Sequence, residues 1–134
     1  MKSICLVVLL FSFSAFANNP QQRACRLTGG LFHALNLDSD QVGFCVYGSS
    51  MMDSMSIMQS AESGTVSQAV SAFQAGSNSC ESVGGIQKDV TDLENNSVRI
   101  CGFADGSAIE VQTLANGPSS GQNSALEQAL KVRY

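Results

Sequence analysis

The chain has 134 residues, 44% of them apolar and 13% charged, with no Trp and a formal net charge of −4. That balance excludes an intrinsically disordered chain, which is poor in apolar residues and rich in charge. Eleven acidic residues against seven scattered basic ones leave no electrostatic footprint for nucleic acid or anionic lipid.

In chain order, the first expected element is a secretion signal over 1–17. Met1-Lys2 gives a short positive start and Ile4 to Phe13 an apolar core. Ala15-Phe16-Ala17 then forms the small-x-small site that a signal peptidase reads, which makes Asn18 the new N-terminus. The apolar run is shorter than the roughly 20 residues that a membrane anchor takes, and nothing after Ala17 reads as a transmembrane segment. Removing Lys2 leaves six basic residues against eleven acidic ones, a net charge near −5. The reading is an exported protein of the periplasm or the medium, with room for one domain or two very small ones.

Four cysteines follow the signal: Cys25, Cys45, Cys80 and Cys101. An even count in a small exported chain reads as a disulfide framework with three possible connectivities. None of them form the close Cys pair of a zinc knuckle. The surroundings of the cysteines suggest a choice among the three. Cys25 precedes Gly29-Gly30 and Cys80 precedes Gly84-Gly85; Cys45 and Cys101 are each followed two residues on by an aromatic, Tyr47 or Phe103. Two copies of one unit account for this pattern. They favour the symmetric pairing, Cys25 with Cys45 and Cys80 with Cys101.

The first repeat is expected over 18–64. Asn19-Pro20 opens a helix with Asn as cap and Pro at its first position, and Gly29-Gly30 ends it. Leu31 to Leu37 reads as a strand with Leu31, His33, Leu35 and Leu37 on one face. Asp38-Ser39-Asp40 reads as a turn and Val42 to Tyr47 as a second strand. Ser50-Met-Met-Asp53 reads as the start of a further helix. A linking helix falls in 65–77, opened by Thr65-Val-Ser-Gln68, with Val66, Ala69, Val70 and Phe73 on its apolar stripe. The second repeat, over 78–117, repeats the order. It has a short helix near Ser79 to Val83, strands near Ile86 to Leu93 and Val98 to Phe103, and a capping box at Ser107-Ala-Ile-Glu110. A linker and a short C-terminal helix capped by Ser124 occupy 118–134. The expected class is α+β: two helix–hairpin–helix repeats sharing a four-stranded antiparallel sheet covered by helices.

These residues resemble a small bacterial exported family of unknown function that often carries the label haemolysin. Asn19-Pro20, Cys25, Gly29-Gly30 and Val42-Gly43-Phe44-Cys45 match the front of its pattern. Cys80, Gly84-Gly85, Cys101, Phe103, Asp105-Gly106-Ser107 and Ile109-Glu110 match its later part. The resemblance implies two tandem copies of that unit and carries no functional residue with it. The chain departs from the pattern where the family has a Trp, near Gln112.

Three groups of side chains invite chemistry. His33, the only histidine, would need Asp38, Asp40 or a serine as partner to act as a base. Asp38/Asp40 and Asp89/Asp92 are acid pairs in or beside turns, where solvated carboxylates are ordinary. Met51, Met52, Met55 and Met58 crowd one expected helix, with Met51, Met55 and Met58 on one face. Such a face serves as core, as an adaptable groove for a partner, or as a soft ligand set for Cu(I). The reading favoured by the residues is a non-enzymatic binding protein without a cofactor, whose partner is a protein or an envelope component. A secreted or periplasmic hydrolase inhibitor and a periplasmic Cu(I)-binding protein are the alternatives.

Overall fold

In a computed structural model the described residues are 19–134; the expected signal at 1–17 lies outside them. Helix α1 spans Pro20–Leu27. Asn19 starts it, its Oδ1 accepting from the N–H groups of Gln21 (2.9 Å) and Gln22 (3.2 Å), and Pro20 loses nothing at a position whose amide has no partner within the helix. Strands β1 (Leu31–Leu37), β2 (Asp40–Tyr47) and β3 (Ser50–Asp53) follow, then helices α2 (Ser54–Ser63) and α3 (Gln68–Gln74). A 3₁₀ turn at Glu81–Val83 leads into β4 (Ile86–Asp92), β5 (Ser97–Gly102) and β6 (Ala108–Glu110). Helix α4 (Val111–Asn116), a second 3₁₀ turn (Gly121–Asn123) and helix α5 (Ser124–Ala129) complete the order.

The strands form a closed antiparallel barrel in the order β1-β2-β3-β6-β5-β4. It consists of two three-stranded meanders. They join through β3 and β6 at Met52↔Ile109, and through β1 and β4 at Leu35↔Asp92 and Asn36↔Thr91. The expected four-stranded sheet of two helix–hairpin–helix repeats is therefore overturned. Each hairpin gains a third strand, and with six strands the sheet curls and closes on itself, which shelters edges that a flat sheet would expose.

The missed strands lie in the two segments read as helix starts. Ser50–Asp53 and Ala108–Glu110 are extended, and the acid at the end of each is itself the helix cap. Asp53 accepts from the N–H of Ser56 at 2.9 Å. Glu110 accepts from the N–H of Thr113 at 2.9 Å and of Gln112 at 2.5 Å. A Ser-x-x-acid pattern fits a reciprocal box or a strand ending in its own cap equally well. Two smaller corrections share this origin. Helix α3 is capped by Ser67, whose Oγ accepts from Val70, rather than by Thr65, and Val66 lies outside it, exposed. Helix α5 has Asn123 rather than Ser124 at its cap position.

Alternation along the strands separates two apolar layers. Inside the barrel lie Leu35, Phe44, Val90, Ile100 and Ala108. Outside it, the helices cover Met52, Cys45, Cys101 and Ile109 with Ile57, Val70, Phe73, Leu114 and Leu126. Both disulfides, Cys25–Cys45 and Cys80–Cys101, belong to this outer layer. The first ties α1 to β2 and the second ties Cys80, the residue that caps the first 3₁₀ turn, to β5.

The single-helix methionine face is not assembled. Met51 and Met52 stand on β3, where successive side chains point to opposite faces. Met51 packs into the barrel interior and Met52 is fully buried in the outer layer. Met58, on α2, packs against the outer layer, and Met55 is 40% exposed. The chain end is tied down as well. Buried Asn123 donates to the carbonyls of Thr113 (2.9 Å) and Gly117 (2.8 Å) and accepts from Ser50 of β3. The N–H of Tyr134 donates to the carbonyl of Ala61 at 2.9 Å.

Candidate functional site

The two-residue turn Asp38-Ser39 sets the register of the first hairpin, Leu37↔Asp40 through Leu31↔Val46. In such a hairpin the pair flanking the turn and every second pair beyond it bond across the strands. Leu37, Leu35, His33 and Leu31 therefore bond to β2, and the N–H and C=O groups of Asn36, Ala34 and Phe32 turn the other way. At Asn36 they meet β4, whose pairing with β1 is confined to Leu35↔Asp92 and Asn36↔Thr91. Beyond that point β4 ends in its turn, so Phe32 and Ala34 present their backbone groups to an opening in the barrel wall.

A cleft of about 530 Å³ lies beside this open stretch, lined by Gln22 of α1, Phe32 and His33 of β1, Gln41 of β2, Asp92 at the end of β4 and Glu94 of the turn after it. The only histidine thus stands near a carboxylate, but that carboxylate already has partners. Asp92 accepts from the N–H groups of Glu94 (2.8 Å) and Asn96 (2.9 Å) and from the Asn96 side chain (3.1 Å). The bonds from Asn96, backbone first, hold its carboxyl below the usual carboxylate range. No serine, threonine or cysteine lines the cleft. The other suggested acids are not gathered here either. Asp89 and Asp92 fall on opposite faces of β4, and Asp89 pairs with Arg99 at 3.0 Å in an exposed ion pair. Asp38 sits in the turn with a left-handed backbone (φ 54°) and Asp40 begins β2.

Three further polar groups are structural in geometry. Asp53 is 3% exposed and joins the meanders, its Oδ1 accepting from the N–H of Ala108 (3.0 Å) and from the Ser56 hydroxyl (2.7 Å). Burial raises its carboxyl above the ordinary range against the pull of those bonds. At Asp105 burial also raises the carboxyl, but the Gln68 N–H (2.9 Å) and Ser107 outweigh it and the net direction is down. The Tyr47 hydroxyl lies 2.7 Å from Thr28 Oγ1, and burial pushes it up to about 12. Its ring covers Gly30, where a Cβ would lie 2.6 Å from the ring.

The sequence reading missed Phe32 and Ala34 because which strand edge stays open depends on how the barrel closes. One signal was present in the sequence, a run from Leu31 to Leu35 without acid, Lys or Pro, and the structure leaves its Leu31 66% exposed. No protein-family model, no curated protein and no solved structure matches the chain. Among the described residues no helix is long and apolar enough to cross a membrane.

Proposed function

We propose that this chain is an exported binding protein without catalytic activity, built from two copies of one unit, which takes an extended segment of a partner protein along the open part of β1. Two disulfides suit an oxidising compartment outside the cytoplasm. The motif shared with the exported family, and the like order of strands and bridge in each meander, support the tandem reading.

The observation that carries the binding role is the short β1–β4 seam. It leaves the strand groups of Phe32 and Ala34 facing an open cleft whose far wall carries Asp92 and Glu94, and the Leu31–Ala34 stretch of β1 itself has no Lys, Pro or carboxylate. A free edge of that kind accepts an added strand, whose main chain supplies the affinity and whose alternate side chains set the preference. The exposed side chain of Leu31 and the half-buried ring of Phe32 favour an apolar segment.

The test is selection of short linear peptides from a random displayed library, followed by amide hydrogen exchange of the complex. Selected peptides protect the amides of Phe32 and Ala34. Ala34→Pro, which removes one outward N–H at a position where an edge strand tolerates proline, abolishes their binding and leaves the unfolding midpoint nearly unchanged. Peptides that protect other amides, or that bind Ala34→Pro as well as the wild type, overturn the reading.

A further inference from the structure

The opposite end of the barrel holds a second cleft, of about 270 Å³, on the far side of the seam and independent of the β1 edge. Its floor continues the barrel's inner layer. Leu37, Val42, Ile100 and Ala108 line it, and all four pack in that layer. Ile86, 68% exposed, and Phe103 form its rim. One ionisable side chain lines it, Lys88. The alternation that puts Val90 inside the barrel brings Lys88 to the same face of β4. Lys88 has no carboxylate partner, since the one ion pair among the described residues is Arg99–Asp89.

We propose that this cleft binds a small amphipathic carboxylate, with its alkyl tail among Ile86, Ile100 and Ala108 and its anionic head on the Lys88 ammonium. A mostly apolar concavity with a few polar groups to fix orientation, here Lys88 and the Ser107 hydroxyl, is the usual make-up of a small-molecule site. The volume, just below the usual range of about 300–1,000 Å³, sets a short tail. The sign of the head follows from the lining, which offers a cation and no acid. An edge strand also uses an inward-pointing charge to deter pairing with other chains. The experiment separates that role from ligand binding.

Octanoate is titrated into the protein with both disulfides formed, with octanol as the uncharged control, and methyl resonances report the location. Octanoate shifts the methyl groups of Ile86, Ile100 and Ala108, and octanol binds the same place more weakly by about tenfold, the worth of one charge-assisted contact. Lys88→Met brings octanoate down to the affinity of octanol. Gly102→Leu blocks both ligands and keeps the fold, because a Cβ at Gly102 meets nothing closer than the Ile86 carbonyl oxygen at 3.8 Å. Absence of octanoate binding, methyl shifts elsewhere, or full binding by Lys88→Met overturns the assignment. A Lys88→Met protein that self-associates and still binds octanoate leaves the lysine as an edge guard alone.

Discussion

The meanders bring equivalent stretches of strand to the barrel's seam, Leu31–Ala34 from β1 and Ile86–Asp89 from β4, and neither stretch is paired across it. Each begins with a large exposed aliphatic residue directly after a Gly-Gly pair. From there they diverge. The first continues with Phe, His and Ala, the second with Gln, Lys and Asp, and Arg99 on the neighbouring strand pairs with that Asp. Charge on a free edge raises the cost of desolvating it against another strand. The comparison therefore teaches that similar backbone geometry can be left without charge-bearing Lys or carboxylate in one half and lined with them in the other, the difference on which the proposed strand addition at β1 rests.

The supports behind the two edges also differ, and this yields the largest expected effect. The first disulfide anchors an eight-residue helix and the second a three-residue turn. Closing loops of this size constrains the unfolded chain by about 3 kcal/mol in either case. Replacing Cys25 and Cys45 by Ala should exceed that figure, because α1 loses its tether and the buried Ala24 loses its packing. Replacing Cys80 and Cys101 should stay near it. Urea unfolding midpoints check the difference, and equal losses would mean that α1 stays docked without its bridge.

Alkaline pH separates the halves next. Tyr47 in the first has Phe103 as its counterpart in the second, a half-buried ring without a hydroxyl. Burial raises the folded-state value of Tyr47 from 10.0 to about 12. The stability it contributes is therefore complete below pH 10 and is lost as pH rises from 10 through about 12. A shift of that size corresponds to about 2–3 kcal/mol. Tyr47→Phe should remove that share of the alkaline sensitivity, read as the slope of unfolding free energy against pH. A slope unchanged by the substitution would mean that the hydroxyl ionises freely in the folded state.

Much of each hairpin was legible in the sequence because local chemistry decides it. Asn19-Pro20 starts α1, β1 runs over the expected Leu31–Leu37, and each Gly-Gly pair precedes a strand. Two glycines have long-range reasons that no local signal reveals. Gly30 leaves room for the Tyr47 ring, and a Cβ at Gly85 would collide with the sulfur of Cys101. Barrel closure was also hidden, because β3 and β6 are four and three residues long and each ends in an acid that looks like part of a helix. The methionine stripe failed for the same reason. A helical period was imposed on Met51 and Met52, which belong to a strand. The open stretch of β1 could not be read either, since it exists only once Asn36 and Thr91 fix where the seam stops.

The two capping acids give the finest contrast. Asp53 caps α2 and Glu110 caps α4 from equivalent strand ends, but only Asp53 also receives an N–H from the other meander, that of Ala108. Loss of a cap costs about 1 kcal/mol, and a buried N–H left without an acceptor costs about 1–3 kcal/mol more. Glu110→Ala should therefore lose about 1 kcal/mol and Asp53→Ala at least twice that, by thermal unfolding. Asp53→Asn refines the comparison, since it keeps an acceptor oxygen and removes the charge. Because burial raises the Asp53 carboxyl, its neutral form is the one the fold favours. That contribution is present below the ordinary carboxylate range and disappears as pH rises through the raised value. The amide keeps one of the two acceptors and turns its NH2 toward the other N–H, that of Ser56 or of Ala108, so at neutral pH the Asn variant should fall between wild type and the Ala variant. Equal losses for Asp53→Ala and Glu110→Ala would show that the Ala108 amide finds another acceptor, and that the meanders are held together by the Met52↔Ile109 pairing and the apolar layers instead.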